Sequence, residues 1–398
     1  MFIRILRSSL LLDYIHELQL IHQPVEETRL ADQLNPSLTL KFGDLNPEQT
    51  AQLVLLLKKS GIRYWESRNQ SNAAVIASFL NWQVVTGLRQ ELPNSLGELG
   101  ELLGAAKANQ QTDSWEFGLP SGQSWKIDRP LIMGILNVTP DSFSDGGRFF
   151  QPEKAIDHAL QMEAAGADLI DVGAESSRPG AEALSQEEEW RRLEGVLKKI
   201  IPLLKIPVSI DSYKAEIARR ALAAGAAMVN DISGLTYDPE LKEVVAKAGC
   251  PLILMHIKGT PRDMQQNPSY RNVMEEIFLF FQQQAALANR SGINQLILDP
   301  GLGFGKRLED NLELIRRLSE FRIFGFPVLV GPSRKSFIGK ILNLEVGERL
   351  WGTAASVALA LANGARLLRV HDVREMKQVV ELTRAIQEKK IQFPNEMF

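Results

Sequence analysis

The sequence predicts an α/β protein whose larger part is a (β/α)8 TIM barrel, preceded by a small α/β N-terminal domain. Three observations predict it. Eight short, nearly continuous apolar runs recur at even intervals, at 131–138, 168–174, 207–211, 227–231, 251–256, 295–299, 327–331 and 366–370. Helical stretches such as EKAIDHALQMEAAG, KAEIARRALAAG and NVMEEIFLFFQQQAALANRSG lie between consecutive runs, several of them ending on glycine. Polar residues collect at the C-terminal tips of the runs, where a barrel of this kind builds its active site. Continuous hydrophobicity marks strands buried on both faces of a parallel sheet. Eight such units over 127–390 fit the roughly 250 residues a barrel requires. A doubly wound open sheet is the competing architecture, but it rarely uses eight units of such even length.

Upstream of the barrel, Asn46-Pro47 supplies an N-cap and a first-turn proline for the helix PEQTAQLVLLLKKS, and Gly61 ends it. Short apolar and helical segments then alternate: IRYWES, NAAVIASFL, WQVVTGL and SLGELGELLGAA. Residues 105–126 are polar, punctuated by Gly118, Pro120 and Gly122, and read as a connection between domains. The expected division is therefore 1–125, a small α/β extension without a catalytic constellation, and 126–398, the barrel.

The length of 398 residues suits two domains at roughly 100–200 residues each. A hydrophobic content of 44% and a charged content of 23% exclude a disordered or fibrous chain. With 45 basic and 48 acidic residues the net charge is −3, too weak a field to recruit nucleic acid or an anionic membrane unaided. The single cysteine, Cys250, forms no internal disulfide and supports no thiolate zinc site, so a reducing, cytoplasmic compartment is expected. Arg4 and Arg7 resemble a signal n-region, but Asp13 cuts the apolar run short. No run reaches the length of about 18 apolar residues that a membrane span needs.

The polar ring at the strand tips comprises Asn137, Asp171, Asp211, Asn230 with Asp231, His256, Asp299, Ser333 with Lys335, and Arg369 with His371. A turn or N-cap role accounts for any one of these, but less readily for the whole ring. Asp211, Asn230, Asp299 and Lys335 offer acceptors, amide donors and a cation, a set suited to a flat heterocycle with an exocyclic amine and a ring amide. Arg369, His371, Arg178 and the Ser176 and Ser177 hydroxyls suit a polyanion such as phosphate or diphosphate. Asn137 offers a carbonyl oxygen, which suits Mg2+ completed by water and substrate phosphates. One pole for a heterocycle and one for a charged leaving group imply group transfer. No nucleophile–base pair is evident, so direct displacement is expected rather than a covalent intermediate.

Other features carry plainer readings. DPGLGFGKR fails the phosphate-loop spacing and also G-x-G-x-x-G, since its glycines fall at 301, 303 and 305. Those glycines let the backbone turn tightly while Phe304 covers a ligand. His16, His22 and His158 read as surface or packing residues, and Glu187, Glu188 and Glu189 as a solvated helix face. His256 ends the fifth run, where it either touches a ligand or supports residues that do.

Eight motifs in order then resemble those of the dihydropteroate synthase family: MGILNVTPDSFSDGG, GAESSRPGA, SIDSYK, NDISG, LMHIKGTPRDMQ, LDPGLGFGK, GPSRKSFIG and RVHDV. They run from about residue 130 to the C-terminal end at the family's spacing. The resemblance implies a (β/α)8 barrel that joins 6-hydroxymethyl-7,8-dihydropterin diphosphate to p-aminobenzoate in folate biosynthesis. It implies that Asp211, Asn230, Asp299 and Lys335 hold the pterin, Asn137 takes Mg2+, and Ser177, Arg369 and His371 hold the diphosphate. Phe143 and Asp145 fall in the family's mobile first loop, and Arg178 with Pro179 in its second. The two loops close over the substrates and, with Lys335 and Ser336, shape the p-aminobenzoate pocket. A homodimer formed through the late helices and a sulfonamide target are further implications.

Departures from the family pattern are few. Ser177 and Ser212 replace a common Thr, Leu302 a frequent Phe, and Trp351 a small residue; the N-terminal 125 residues are absent from compact bacterial forms. A pterin-barrel methyltransferase is a rival reading, but it has no use for Arg178, Arg369 and His371 at a diphosphate. A barrel that lost its activity is another, against which every expected polar position is retained.

Overall fold

A computed structural model of the chain describes residues 1–6, 17, 38–67, 73–79, 82–139, 152–176, 180 and 183–388. Among these, two compact units separate: Met1–Thr112 with Ser319–Gly325, and Asp113–Leu318 with Phe326–Phe398.

The first unit contains β1 (Phe2–Leu6), β2 (Leu38–Leu45), α1 (Pro47–Lys59), β3 (Arg63–Glu66), β4 (Ala73–Phe79), α2 (Trp82–Gln90) and α3 (Gly97–Gln111). The strands pair antiparallel in the order β1-β2-β4-β3. Asn46 caps α1 in a reciprocal capping box with Gln49, and Pro47 opens the helix, as its sequence predicts. Arg4, Lys41, Glu17 and Glu320 are all buried and joined in one network: Arg4 to Glu17 at 2.8 Å, Arg4 to Glu320 at 3.1 Å and Lys41 to Glu17 at 3.2 Å. Burial of unpaired charge would be prohibitive, so pairing is the condition on which these residues lie inside. Segment 319–325 is fixed in this unit by Asn109 Nδ2 donating to the Ile323 carbonyl (2.7 Å) and by Arg322 donating to the Gln110 and Thr112 carbonyls.

The second unit is the barrel. Its strands are β7 (Leu131–Asn137), β8 (Leu169–Gly173), β9 (Val208–Asp211), β10 (Met228–Asp231), β11 (Leu252–Met255), β12 (Leu296–Asp299), β13 (Leu329–Val330) and β14 (Leu367–Val370). All pair parallel, in the order β12-β11-β10-β9-β8-β7-β14-β13. A bridge between Leu298 and Val328 joins the two ends, so the sheet closes. All eight predicted runs become strands, each one to three residues shorter than its run; the seventh is shortened most, to two residues. The surrounding helices are α4 (Pro152–Ala164), α5 (Gln186–Leu203), α6 (Ala215–Ala223), α7 (Leu241–Ala248), α8 (Val273–Arg290), α9 (Leu308–Arg316), α10 (Ser336–Leu342), α11 (Leu350–Ala362) and α12 (Val373–Glu388). Among the described residues no helix is long and apolar enough to cross a membrane.

Residues 105–126 are not the connection that composition predicts. Residues 105–111 continue α3, and an antiparallel hairpin follows, β5 (Trp115–Gly118) and β6 (Ser124–Ile127). Phe117 and Ile127 of this hairpin join a buried cluster with Leu131, Leu169, Met228, Leu329 and Leu367, the first residues of five barrel strands. The hairpin therefore plugs the N-terminal end of the barrel. Each such side chain contributes about 1.5–3 kcal/mol by its burial. Gln295 fastens the hairpin, accepting from the Gly118 N–H at 2.5 Å and donating to its carbonyl at 3.1 Å.

At the opposite end the loop after β12 needs glycine. Gly301 has φ +69°, and a Cβ there would lie 2.0 Å from the His256 carbonyl oxygen; Gly305 has φ +63° and would meet the Lys258 carbonyl at 2.1 Å. Gly249, with φ +62°, faces open space. Gly301→Ala is therefore expected to lower the thermal midpoint well beyond Gly249→Ala. Both pay the backbone strain of about 1–3 kcal/mol, but only the first also meets a backbone atom. Equal melting losses for the two variants would contradict this account.

Candidate active site at the barrel mouth

Strand direction alone brings the ring together, because all eight parallel strands point their C-terminal ends the same way. Asp171, in an otherwise apolar strand, is fully buried, and its Oδ2 accepts from Arg369 Nε (2.7 Å) and from Asn230 Nδ2 (2.9 Å). Arg369 Nη2 donates to Asp211 Oδ2 at 2.6 Å. Four strand tips, β8, β9, β10 and β14, are thus tied through one guanidinium. Gly173 gives Asp211 its place, since a Cβ there would come within 3.2 Å of the Asp211 Cβ. Burial pushes the Asp211 carboxyl up to about 7, against the pull of Arg369 and with Asp171 and Glu189 adding to the rise. Two of the three guanidinium nitrogens of Arg369 are committed to carboxylates; Nη1 makes no hydrogen bond to another described residue.

A second group forms around β12. Asp299 Oδ1 accepts from the Gly301 N–H (2.7 Å), and burial raises its carboxyl to about 6. Lys335 N-caps α10, and its Nζ lies 4.0 Å from the centroid of the Phe304 ring. Burial and the positive charge of Arg369 lower its ammonium to about 8. The residue before it, Arg334, holds a left-handed φ of 56°. Its N–H donates to Thr353 Oγ1 (3.0 Å), its carbonyl accepts from Arg349 (3.1 Å), and its guanidinium grips Asp372 at 3.0 and 2.5 Å. Both backbone groups and two guanidinium nitrogens of the strained residue are therefore held, which fixes the peptide that presents Lys335. Ser336 follows at the exposed start of α10.

His371 shares the Ser333 hydroxyl, which accepts from the His371 N–H (3.2 Å) and lies 3.0 Å from its Nδ1. In the tautomer where the hydroxyl donates to Nδ1, the Nε2–H is left as a donor. Burial and neighbouring Arg369 and Arg334 lower this imidazole to about 4, so it is neutral. Asn137 ends β7 half-buried, in ladder register with Gly173, and its side chain makes no hydrogen bond to another described residue. An apolar wall of Ile232, Met255, Ile257, Met264 and Phe304, flanked by Tyr213 and Tyr237, stands beside these polar groups. Phe143, Asp145, Ser177, Arg178 and Pro179 lie outside the described residues.

Several expectations change. Asp231 turns inward as a scaffold: its carboxylate accepts from the Ser233 N–H and hydroxyl and from the Leu235 N–H, which folds the loop after β10. His256 supports its neighbours. It is buried, its N–H donates to the Asp299 carbonyl, and its Nδ1 lies 3.0 Å from Lys306 Nζ. Glu189 is not on a solvated face; it is 1% exposed and paired with Lys214 at 2.6 Å, because α5 turns this residue toward the barrel.

Sequence reasoning overlooked Lys306 and the Glu175–Lys214–Glu189 cluster, and gave Asp171 no role beyond the ring. Lys306 is buried, bonded to the His256 and Phe304 carbonyls, with its ammonium lowered by burial to about 7. The available signal was a charged residue inside or beside an apolar run, which must find a partner if it is buried.

Comparison with known proteins agrees with this geometry. The pterin binding enzyme family matches residues 133–371. A dihydropteroate synthase of Synechocystis sp. is 48% identical over 284 residues, 70% of this chain and 98% of that protein. One from Escherichia coli K12 is 45% identical over 274 residues, 68% of this chain and 97% of that protein. The crystal structure of Yersinia pestis dihydropteroate synthase with a sulfonamide drug superposes with a TM-score of 0.65 at 41% identity, covering 69% of this chain and all of that one. A Xanthomonas albilineans dihydropteroate synthase with 4-aminobenzoic acid gives 0.65 at 40% identity, covering 70% and 99%. By its fold, the residues at its barrel mouth and these relatives, the chain belongs to the pterin binding enzymes, in the dihydropteroate synthase family.

Proposed function

We propose that this protein is a dihydropteroate synthase, a transferase that condenses 6-hydroxymethyl-7,8-dihydropterin diphosphate with p-aminobenzoate to give 7,8-dihydropteroate and diphosphate. The observation that carries this reading is the ring of Asp211, Asn230, Asp299 and Lys335 against one apolar wall, with Arg369 and His371 beside it. A Xanthomonas albilineans relative is known in complex with 7,8-dihydropteroate.

Asp211, Asn230 and Asp299 take the donors and acceptors of the pterin edge, while Phe304 and the apolar wall hold its faces. The C–O bond to the diphosphate breaks first, and the electron pair leaves with oxygen. The methylene cation left on the pterin is balanced by Asp299. The arylamine lone pair then forms the C–N bond, and the proton on nitrogen passes to water or to the departing diphosphate. Such a displacement needs no strong base; it needs charge held in place. The Nη1 hydrogens of Arg369 and the Nε2–H of neutral His371 face the departing anion, while Ser177 completes that pole. Arg178, Pro179, Ser336 and Lys335 shape the p-aminobenzoate pocket, and Phe143 and Asp145 belong to the loop that covers the substrates.

Asn137 fits a Mg2+ site that is only partly protein-made. Among the described residues nothing donates to its amide oxygen, and no group of three or more His, Cys, Asp or Glu that could hold a metal occurs. The diphosphate and water would supply the remaining oxygens. Mg2+, when bound, supplies electrostatic stabilisation of the leaving diphosphate.

The catalytic part is the barrel unit, Asp113–Leu318 with Phe326–Phe398, which starts ahead of the expected residue 126; Met1–Thr112 with Ser319–Gly325 is an extension, and the protein acts in the cytoplasm. Its partners are the two small molecules and a second copy of itself, with no part for nucleic acid or membrane. Trp351 and Leu359 on α11 and Leu382 and Ile386 on α12 are 57–80% exposed, an apolar face suited to homodimer formation.

Diphosphate release that requires both substrates and Mg2+, with dihydropteroate as product, is the expected outcome for the purified protein. Asp299→Asn and Lys335→Ala should each lower turnover by roughly a hundredfold; near-normal rates in both would overturn the assignment. Pterin affinity should also fall with pH. Asp211 and Asp299 accept from the pterin through both oxygens, and with full charge, only when ionised, and they protonate near 7 and 6. Calorimetry should therefore show weakening below neutrality, at most about tenfold per pH unit for each carboxylate. A flat profile down to pH 5 would contradict it, since about nine in ten Asp299 carboxyls would by then be protonated. Light scattering at micromolar concentration should give the mass of two chains, and a monomer would count against the dimer.

A further inference from the structure

Lys214, at the start of α6, lies against residues from three other positions in the chain. Its ammonium donates to Glu175 Oε2 (2.5 Å), Glu189 Oε2 (2.6 Å) and the Leu184 carbonyl (2.7 Å), so its three N–H groups have three acceptors. Glu175 is engaged a second time: Oε2 also accepts from the Leu184 N–H (3.0 Å), and Oε1 from the Tyr213 hydroxyl (2.9 Å). Both backbone groups of Leu184 are thereby tied to one ion pair. Glu175 follows β8, and Leu184 precedes Ser185, the N-cap of α5. The two residues are nine positions apart, and the Glu175–Lys214 pair draws them together as the neck of a loop. Glu189, in the first turn of α5, adds the helix itself to the same ammonium.

The mechanism makes no use of this cluster, yet the loop it closes is the one that carries Ser177, Arg178 and Pro179. We infer that Lys214 and Glu175 are positioning residues: their ion pair sets the neck of the β8–α5 loop and so the affinity for the arylamine and the diphosphate, without contacting either. The inference rests on the synthase reading above. The pterin ring itself is held by Asp211, Asn230, Asp299 and Lys335, none of which bonds to Lys214 or Glu175. The two ligand classes should therefore separate.

The chemistry favours a neck that is held rather than loose. Lys214 and Glu189 are at most 9% exposed, and an ammonium so placed is weakly screened and strongly directional.

The test uses the full chain with Glu175→Gln, Lys214→Met and the double variant. Glu175→Gln leaves the Lys214–Glu189 pair intact and keeps an oxygen for Tyr213, so it guards against Lys214→Met failing to fold. The KM for p-aminobenzoate should rise about tenfold or more in each single variant, while kcat at saturation stays within about twofold. Calorimetric affinity for 6-hydroxymethylpterin, which lacks the diphosphate, should be unchanged in Glu175→Gln, which leaves Lys214 paired with Glu189 and so leaves the charge beside Asp211 as it was. The double variant should be no worse than the poorer single one, since both remove the same contact. An unchanged p-aminobenzoate KM in Glu175→Gln, or a loss of kcat, KM and pterin affinity together, would overturn the inference. Absence of turnover in the wild-type protein would instead overturn the synthase reading on which it stands.

Discussion

The mouth of this barrel depends on one guanidinium. Arg369 reaches across the top of the sheet to Asp171 and Asp211, and Asp171 in turn orients Asn230. Without that cation, two carboxylates would share a water-poor space. The desolvation of each would then drive protonation and remove the acceptors a heterocycle needs. Asp211 shows how close the balance is, since burial already lifts it to about 7 with Arg369 in contact. Gly173 completes the arrangement by leaving room for the Asp211 side chain. Electrostatics at the site is therefore a property of the closed sheet: only when β14 lies next to β7, and β7 next to β8, does Arg369 come within reach of Asp171.

Backbone constraints do comparable work on the other side. The loop after β12 runs so close to the His256 and Lys258 carbonyls that side chains at 301 and 305 are excluded. Lys306 then closes the contact by donating to the His256 and Phe304 carbonyls. This holds Phe304 where Lys335 meets its ring, and Arg334 holds Lys335 from the opposite direction at a strained φ. Rigid support on both sides means that little reorganisation is left for the moment a ligand arrives.

How much of this was legible in the sequence follows from which interactions are local. The eight strands were legible because burial on both faces leaves an unbroken apolar run, and the cap of α1 because Asn46, Pro47 and Gln49 are adjacent. The ring was legible because topology alone sends every strand tip to one end. Pairings across the ring were not: nothing near Asp171 in sequence announces Arg369, 198 residues away. Glu189 looked solvated because two of its neighbours are acids, and only the position of Lys214 reveals that it faces inward. The hairpin at 115–127 was hidden by its polar, glycine-containing turn, although Phe117 and Ile127 are core residues. Segment 319–325 belongs to the first unit through Glu320, Arg322 and Ile323, contacts no local pattern encodes.

Charge arithmetic at the mouth bears on how the proposed reaction is driven. Asp171, Asp211 and Asp299 face Arg369, Lys335 and Lys306, three acids against three bases. Each base is already attracted to an acid: Arg369 to Asp171 and Asp211, Lys335 and Lys306 to Asp299. A diphosphate therefore meets a mouth with little net positive charge of its own, and His371 adds a donor but no charge. That suits the pterin, which a strongly cationic site would repel once its methylene carbon becomes positive. Among the described residues it leaves the leaving group short of counter-charge, which is in keeping with the divalent cation proposed at Asn137.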